Sequence, residues 1–273
     1  MWQGSRLYST TNDLNAPRTS VTWEPNGTSR QVNESEALEF LAVNLGENCG
    51  FEYPRVLYKG QRYGFRCISL APVLGRTLED VPCDMLGLRL DSQQEREALS
   101  EANISSATNV CNKVAWQIIR RCLDKLLKEL PSDDYGVGGV DGDYVHDYDL
   151  FREFEWSGHL KSSEVEENCR IAGFYDGKAN FLPGDLTAAN IIVNDGFDFV
   201  GFIDWEKAGY IPRRWLQAQF IPFEQRKRAN ITLHNTAELP GNQNDPNTLL
   251  WLNTMSDSLR EFGIEKLDAR QLG

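Results

Sequence analysis

Three oxygen-bearing side chains stand within one short stretch of the chain: Asp185, Asn190 five residues later, and Asp204. Asn190 is followed by the apolar run Ile191-Ile192-Val193, the triplet Asn194-Asp195-Gly196, and an alternating segment over 197–203 that ends at Asp204. Asn-Asp-Gly between two β-rich runs predicts a hairpin turn. A hairpin returns its second strand beside its first, so Asp204 is expected near Asn190. Oxygen donors of this kind suit magnesium, which takes one or two carboxylates together with substrate phosphates. Phosphoryl transfer is the chemistry that such an arrangement serves.

The elements that must position these residues are legible in outline. Residues 109–130 carry Ala115, Ile119, Cys122 or Leu123, Leu126 and Leu130 at helical spacing with charged residues between them, which predicts a core helix. From Asn33, the sequence Asn-Glu-Ser-Glu predicts a second helix, with Asn33 as its N-cap, Glu36 in a capping-box position and Leu38, Leu41 and Leu45 on its apolar face. A short β-like run covers residues 20–23. Residues 53–58 and 63–70 read as two strands joined by a turn around Lys59-Gly60, followed by a strand exit at Pro72 and Gly75. An apolar helix is expected over 248–262. Helix and strand signals split along a chain of 273 residues predict an α+β fold of two lobes around a cleft.

Composition narrows the partners. A formal charge of −12 argues against nucleic acid and against an anionic membrane surface, both of which select for basic patches. Surplus Asp and Glu are the ordinary mark of a solvated surface; the alternative is an acidic cleft that would concentrate a cationic acceptor. Cysteines at 49, 67, 83, 111, 122 and 169 form no C-x-x-C pair and no regular framework, so free thiols in a reducing compartment are expected. Residues 1–6 lead into a polar segment without an apolar core, and no run approaches a membrane span. The expectation is a soluble, cytoplasmic protein.

The loop D-x-x-x-x-N at 185–190, followed in register by a hairpin and by I-D-W-E at 203–206, resembles the aminoglycoside phosphotransferase and choline kinase branch of the protein-kinase-like fold. That resemblance implies a small, β-rich N-terminal nucleotide-side lobe over 1–73 and a larger, mainly helical lobe over 74–273 for catalysis and acceptor binding. It implies ATP and Mg2+ as cofactors and a small-molecule hydroxyl as acceptor. Asp185 would accept the hydroxyl proton, Asn190 and Asp204 would hold the metal, and Glu206 would support the metal strand. Glu36, within E-A-L, matches the helix glutamate that pairs with a lysine of the preceding strand. Residues 71–78 look like the hinge, so backbone groups at Leu70, Ala71 and Val73 would face the adenine. The A-G-x-x-P-x-x-W pattern at 208–215 makes Trp215 a packing residue.

Two departures from that pattern stand out. Pro183 occupies the place of a histidine that braces the loop; a proline fixes φ and keeps Leu182 extended, another route to the same loop shape. Trp23 or Glu24 falls where the phosphate-orienting lysine belongs, and no G-x-G-x-x-G precedes it, which leaves Arg18 or Arg30 as substitutes, or a shortened small lobe, as the alternatives. Three readings follow: a small-molecule kinase, a pseudokinase that keeps the fold as a regulatory or interaction module, and a hydrolase using Asp185 and Asp204 as an acid/base pair. A protein kinase fits less well, because D-F-G and A-P-E are both missing. The glycines of 136–142 precede no G-K-S/T and are expected in a connector, and His146 and His159 have no paired nucleophile or metal spacing.

Overall fold

The computed structural model describes residues 7–8, 20–25, 29–46, 49–62, 65–81, 101–130, 136–140, 144–145, 160–171, 173, 175, 177–218, 220 and 246–265. Its architecture is α+β, with a strand-rich N-terminal lobe and a larger lobe that holds most of the helices. Strands β1 (Leu7–Tyr8) and β2 (Ser20–Pro25) come first, then helix α1 (Ser29–Asn44), then β3 (Arg55–Arg62) and β4 (Phe65–Ala71). The four strands form one antiparallel sheet in the order β1-β2-β4-β3. Helix α1 buries Ala37, Leu38 and Leu41, so the apolar face expected of it is the face that packs.

Two local expectations are overturned here. Helix α1 begins at Ser29, so Asn33 lies inside it. The Asn33 amide donates to the backbone carbonyls of Glu206 and Ala208, so it serves tertiary contacts in place of a cap. Lys59 and Gly60 do not form a turn, because β3 continues through them to Arg62, with Lys59 opposite Ile68 and Gly60 opposite Cys67. A Cβ on Gly60 would meet only the exposed Tyr58 ring, which is free to swing aside.

The second lobe is organised by a long helical segment: α2 (Glu101–Ile118), a π-helical turn (Ile119–Leu123) and α3 (Asp124–Glu129). It starts before residue 109, but the apolar stripe is the expected one, with Ala115, Ile119, Cys122, Leu123, Leu126 and Leu130 buried. The short strand β5 (Arg76–Thr77) follows the exit at 72–75, and further on β6 (Tyr144–Val145) pairs with β7 (Leu160–Lys161) ahead of helix α4 (Ser162–Ile171). Strand β8 (Asn180–Leu182) precedes the loop of interest, and β9 (Ile191–Val193) and β10 (Phe199–Phe202) form the predicted hairpin. Strand β11 (Gly209–Ile211) and helices α5 (Arg213–Ala218) and α6 (Pro246–Glu261) complete the described chain.

Contacts from both sides of the exit at 72–75 converge on the hairpin. Strand β5 pairs with β9, and Glu52 exchanges backbone hydrogen bonds with Val200 (2.8 Å) and Phe202 (3.1 Å). Gly201 is required there, since a Cβ would meet the Glu52 carbonyl oxygen at 1.9 Å. Arg121, in the π turn, donates to the carbonyls of Gly50 (2.8 Å) and Phe199 (2.6 Å). The core around the hairpin is aromatic: Phe181, Phe199, Phe202 and Trp205 are all fully buried.

Glycine-rich residues 136–140 behave as a connector, with Gly138 exchanging backbone hydrogen bonds with Tyr210 at 2.9 and 2.7 Å. His146, His159 and Cys83 lie outside the described residues. The five described cysteines are buried free thiols, and burial together with the neighbouring Cys49 pushes the Cys122 thiol well up. Among the described residues, no helix is long and apolar enough to cross a membrane.

The hairpin turn is held from outside by α2. Lys113 pairs with Asp198 at 2.7 Å, and Gln117 donates to Asp198 at 2.7 Å while accepting from the Phe199 amide at 2.6 Å. Hydrogen bonds from Lys113 and Gln117 hold the Asp198 carboxyl below its ordinary range. A carboxyl lowered on folding contributes stability above its unfolded value, about pH 4, and loses that contribution as pH falls through the folded value. Urea unfolding of the wild type and Asp198→Asn should therefore differ at pH 7 and converge towards pH 2. A gap that persists in acid would show that Asp198 does not act through its charge.

Candidate active site

Strand pairing dictates how the two functional segments meet. Strand β8 leads into residues 183–190, which lead into β9; β10 leads into residues 203–208, which lead into β11. Since β8 pairs with β11 and β9 pairs with β10, both antiparallel, the two connecting segments must run side by side in opposite directions. Three contacts mark that alignment. The Ile203 amide donates to the Asn190 carbonyl at 2.9 Å, Lys207 Nζ stands 3.2 Å from Asp185 Oδ2, and a Cβ on Gly184 would stand 2.0 Å from the Lys207 carbonyl oxygen. Only glycine at 184 lets the backbones approach so closely.

Asp185 is oriented at both oxygens: Oδ1 accepts from the Thr187 amide at 3.3 Å, and Oδ2 faces Lys207. The chain then turns through a short 3-10 segment (Ala188–Asn190), which puts Asn190 at the start of β9. Asn190 is buried, and its amide group turns to the Asp185 carbonyl at 3.5 Å, leaving the carboxamide oxygen on the opposite side of the group.

Asp204 sits one residue beyond the Ile203–Asn190 bond, at φ 64°. That left-handed conformation is uncommon for a residue with a side chain, though aspartate tolerates it, and such outliers gather at functional sites. Its Oδ1 is buried and receives no hydrogen bond from the described residues, while the residue has other contacts. One carboxylate and one carboxamide, adjacent across a hairpin, are a donor set that fits magnesium bound together with phosphates. The described residues include no cluster of three or more His, Cys, Asp or Glu able to hold a metal alone. Magnesium usually relies on substrate phosphates in place of such a cage.

No protein-family model matches the sequence, and no curated protein is similar to it. Among solved structures, 94 chains match. The fold is similar to aminoglycoside phosphotransferases. The structure of APH(3'')-Id from Streptomyces rimosus, in complex with ADP and streptomycin, has a TM-score of 0.48 at 17% identity, with 93% of this chain and 83% of that chain covered. A thermostable mutant of APH(4)-Ia in a ternary complex with ADP and hygromycin B gives a TM-score of 0.47 at 12% identity over 96% of this chain and 88% of that one. The GDP and kanamycin complex of an APH(2'') enzyme gives 0.38 at 13% identity, covering 99% and 80%.

The remaining expected residues lie on the N-terminal lobe. Leu70 and Ala71 are the last two positions of β4, opposite Ser20 and Arg55, and Val73 lies in the exit that follows. Glu36 is half-buried on α1. This helix reaches the 203–208 segment through two residues the sequence reading did not single out for it. The Asn33 amide bonds the carbonyls on both sides of Lys207, and buried Glu34 accepts from the Trp205 amide at 3.4 Å. Trp205 is gripped between Phe51 and Phe181, with interplanar angles of 18° and 8°, so the segment carrying Asp204 is locked into the core.

Lys207 and Trp251 are the other residues missed. Trp251, on α6, donates its indole N–H to the Leu186 carbonyl at 3.0 Å and so braces the loop immediately after Asp185. This contact supplies a brace in a loop whose preceding residue 183 is proline. Trp251→Phe keeps a buried ring but removes the donor, and should cost about 1–3 kcal/mol in urea unfolding. An unchanged midpoint would mean the indole contact contributes nothing to the loop.

Proposed function

We propose that the chain is a small-molecule kinase that transfers the γ-phosphoryl group of ATP to a hydroxyl of its acceptor. The observation that carries this reading is the hydrogen bond between the Asn190 carbonyl and the Ile203 amide, which makes neighbours of a D-x-x-x-x-N loop and an I-D-W-E strand end. Asp185, held by the Thr187 amide, accepts the proton of the acceptor hydroxyl. The hydroxyl oxygen forms the new bond to the γ-phosphorus, the bond from that phosphorus to the β,γ-bridging oxygen breaks, and ADP leaves with the bridging oxygen. Asn190 and Asp204 are the residues that hold magnesium. When bound, the metal offsets charge on the phosphates.

The same reading assigns residues 1–73 to the nucleotide side, with Leu70, Ala71 and Val73 along the adenine and Glu36 on the phosphate-side helix, and residues 74–273 to catalysis and the acceptor. The formal charge of −12 favours a cationic acceptor over nucleic acid or an anionic membrane surface. A cytoplasmic location fits the supply of ATP.

A pseudokinase is the second reading, favoured by one feature of β2: its six residues, Ser-Val-Thr-Trp-Glu-Pro, include neither Lys nor Arg. Incubation with labelled ATP, magnesium and a panel of amino-sugars, choline-like amines and hydroxylated aromatic metabolites separates the two. Label transferred to a panel member supports the kinase. ATP binding without transfer to any of them supports the pseudokinase.

A further inference from the structure

We infer that Lys207 supplies the positive charge on the γ-phosphate that strand β2 does not carry, exchanging its contact with Asp185 for the triphosphate when ATP binds. The inference rests on the kinase reading above and goes beyond it by assigning a residue to the phosphate. Lys207 Nζ lies 3.2 Å from Asp185 Oδ2, and both side chains are about four-fifths covered, at 21% and 22% exposure, so solvent screens this pair less than a surface pair.

Its backbone is fixed from three sides. Asn33 bonds the carbonyls of Glu206 and Ala208, the Gly184 backbone lies against the Lys207 carbonyl, and the Ala208 amide closes a tight turn onto the Trp205 carbonyl at 3.0 Å. The side chain is a long stem with a compact charge, suited to moving between two anions while the backbone stays still.

Distances support the exchange. A hydroxyl within about 3 Å of Asp185, attacking a phosphorus about 3–3.5 Å away, puts the γ-phosphoryl group roughly 6 Å from the Asp185 carboxylate. A lysine already touching that carboxylate covers this span by rotamer changes alone. Lys59 is a poorer candidate, because it pairs with Glu39 at 3.4 Å with both side chains well exposed. Charge-assisted hydrogen bonds to phosphate of the kind proposed for Lys207 contribute enough to be read in affinity.

The test is calorimetric titration of the full chain with MgATP and with MgADP, for the wild type, Lys207→Met and Lys207→Arg. Lys207→Met should weaken MgATP about 10- to 100-fold and leave MgADP within about twofold, because only ATP carries the γ-phosphate; retained MgADP binding also reports a folded site. Lys207→Arg should keep most of the MgATP affinity. Equal losses for both nucleotides, or no loss for either, would overturn the role of Lys207 while the nucleotide site stands. Failure of the wild type to bind either nucleotide would remove the kinase reading and this inference with it.

Discussion

Asp185→Asn is expected to lower phosphoryl transfer about 100- to 10,000-fold, the usual contribution of a positioned general base, with MgATP binding retained or strengthened and little change in unfolding free energy. Asparagine has the same size and keeps an oxygen for the Thr187 amide, so the loop retains its local hydrogen bond. It cannot take a proton from the acceptor hydroxyl, and it loses its charge pairing with Lys207. MgATP affinity should hold or rise, because the carboxylate binds neither metal nor phosphate in this account and its neutralisation frees Lys207 for the γ-phosphate. The measurement is the rate of label transfer from ATP to whichever acceptor the panel reveals. Transfer unaffected by the substitution would refute the proton-accepting role of Asp185.

Much of the site's frame was legible because it depends on local chemistry. Asn194 announces the hairpin, and its side-chain oxygen accepts from the amides of both Gly196 and Asp198 at 2.9 Å. The turn is longer than the triplet suggests, since Phe197 adopts φ 57° and β10 begins only at Phe199. The helical stripe of residues 115–130 was legible for the same reason: burial follows the period of the helix.

What could not be read depends on pairings distant in sequence. Lys207 meets Asp185 only because β8 pairs with β11, and those three-residue strands are buried at every position, so neither shows the alternation that marks a strand facing solvent. Trp251 reaches Leu186 from the far end of the chain, with no motif to link them. Asn33 looked like a cap because its type and its spacing to Glu36 satisfy a local rule, and the rule was overridden by two carbonyl acceptors more than 170 residues away. Gly60 looked like a turn residue for a similar reason, although β3 runs through it with Gly60 opposite Cys67.

The central claim is that Asn190 and Asp204 hold a metal on which nucleotide binding depends, and melting curves with ATP, with and without magnesium, test it most directly. Ligand at a hundredfold its dissociation constant stabilises a protein by about 2.7 kcal/mol, which a melting curve resolves. Asp204→Asn is a suitable partner variant, because asparagine also tolerates the left-handed backbone found at this position, so the change falls on charge and not on the turn. The account predicts a rise in melting temperature with ATP and magnesium, a much smaller rise when magnesium is removed, and loss of the magnesium-dependent part in Asp204→Asn. Equal shifts with and without magnesium, or an undiminished shift in Asp204→Asn, would contradict it.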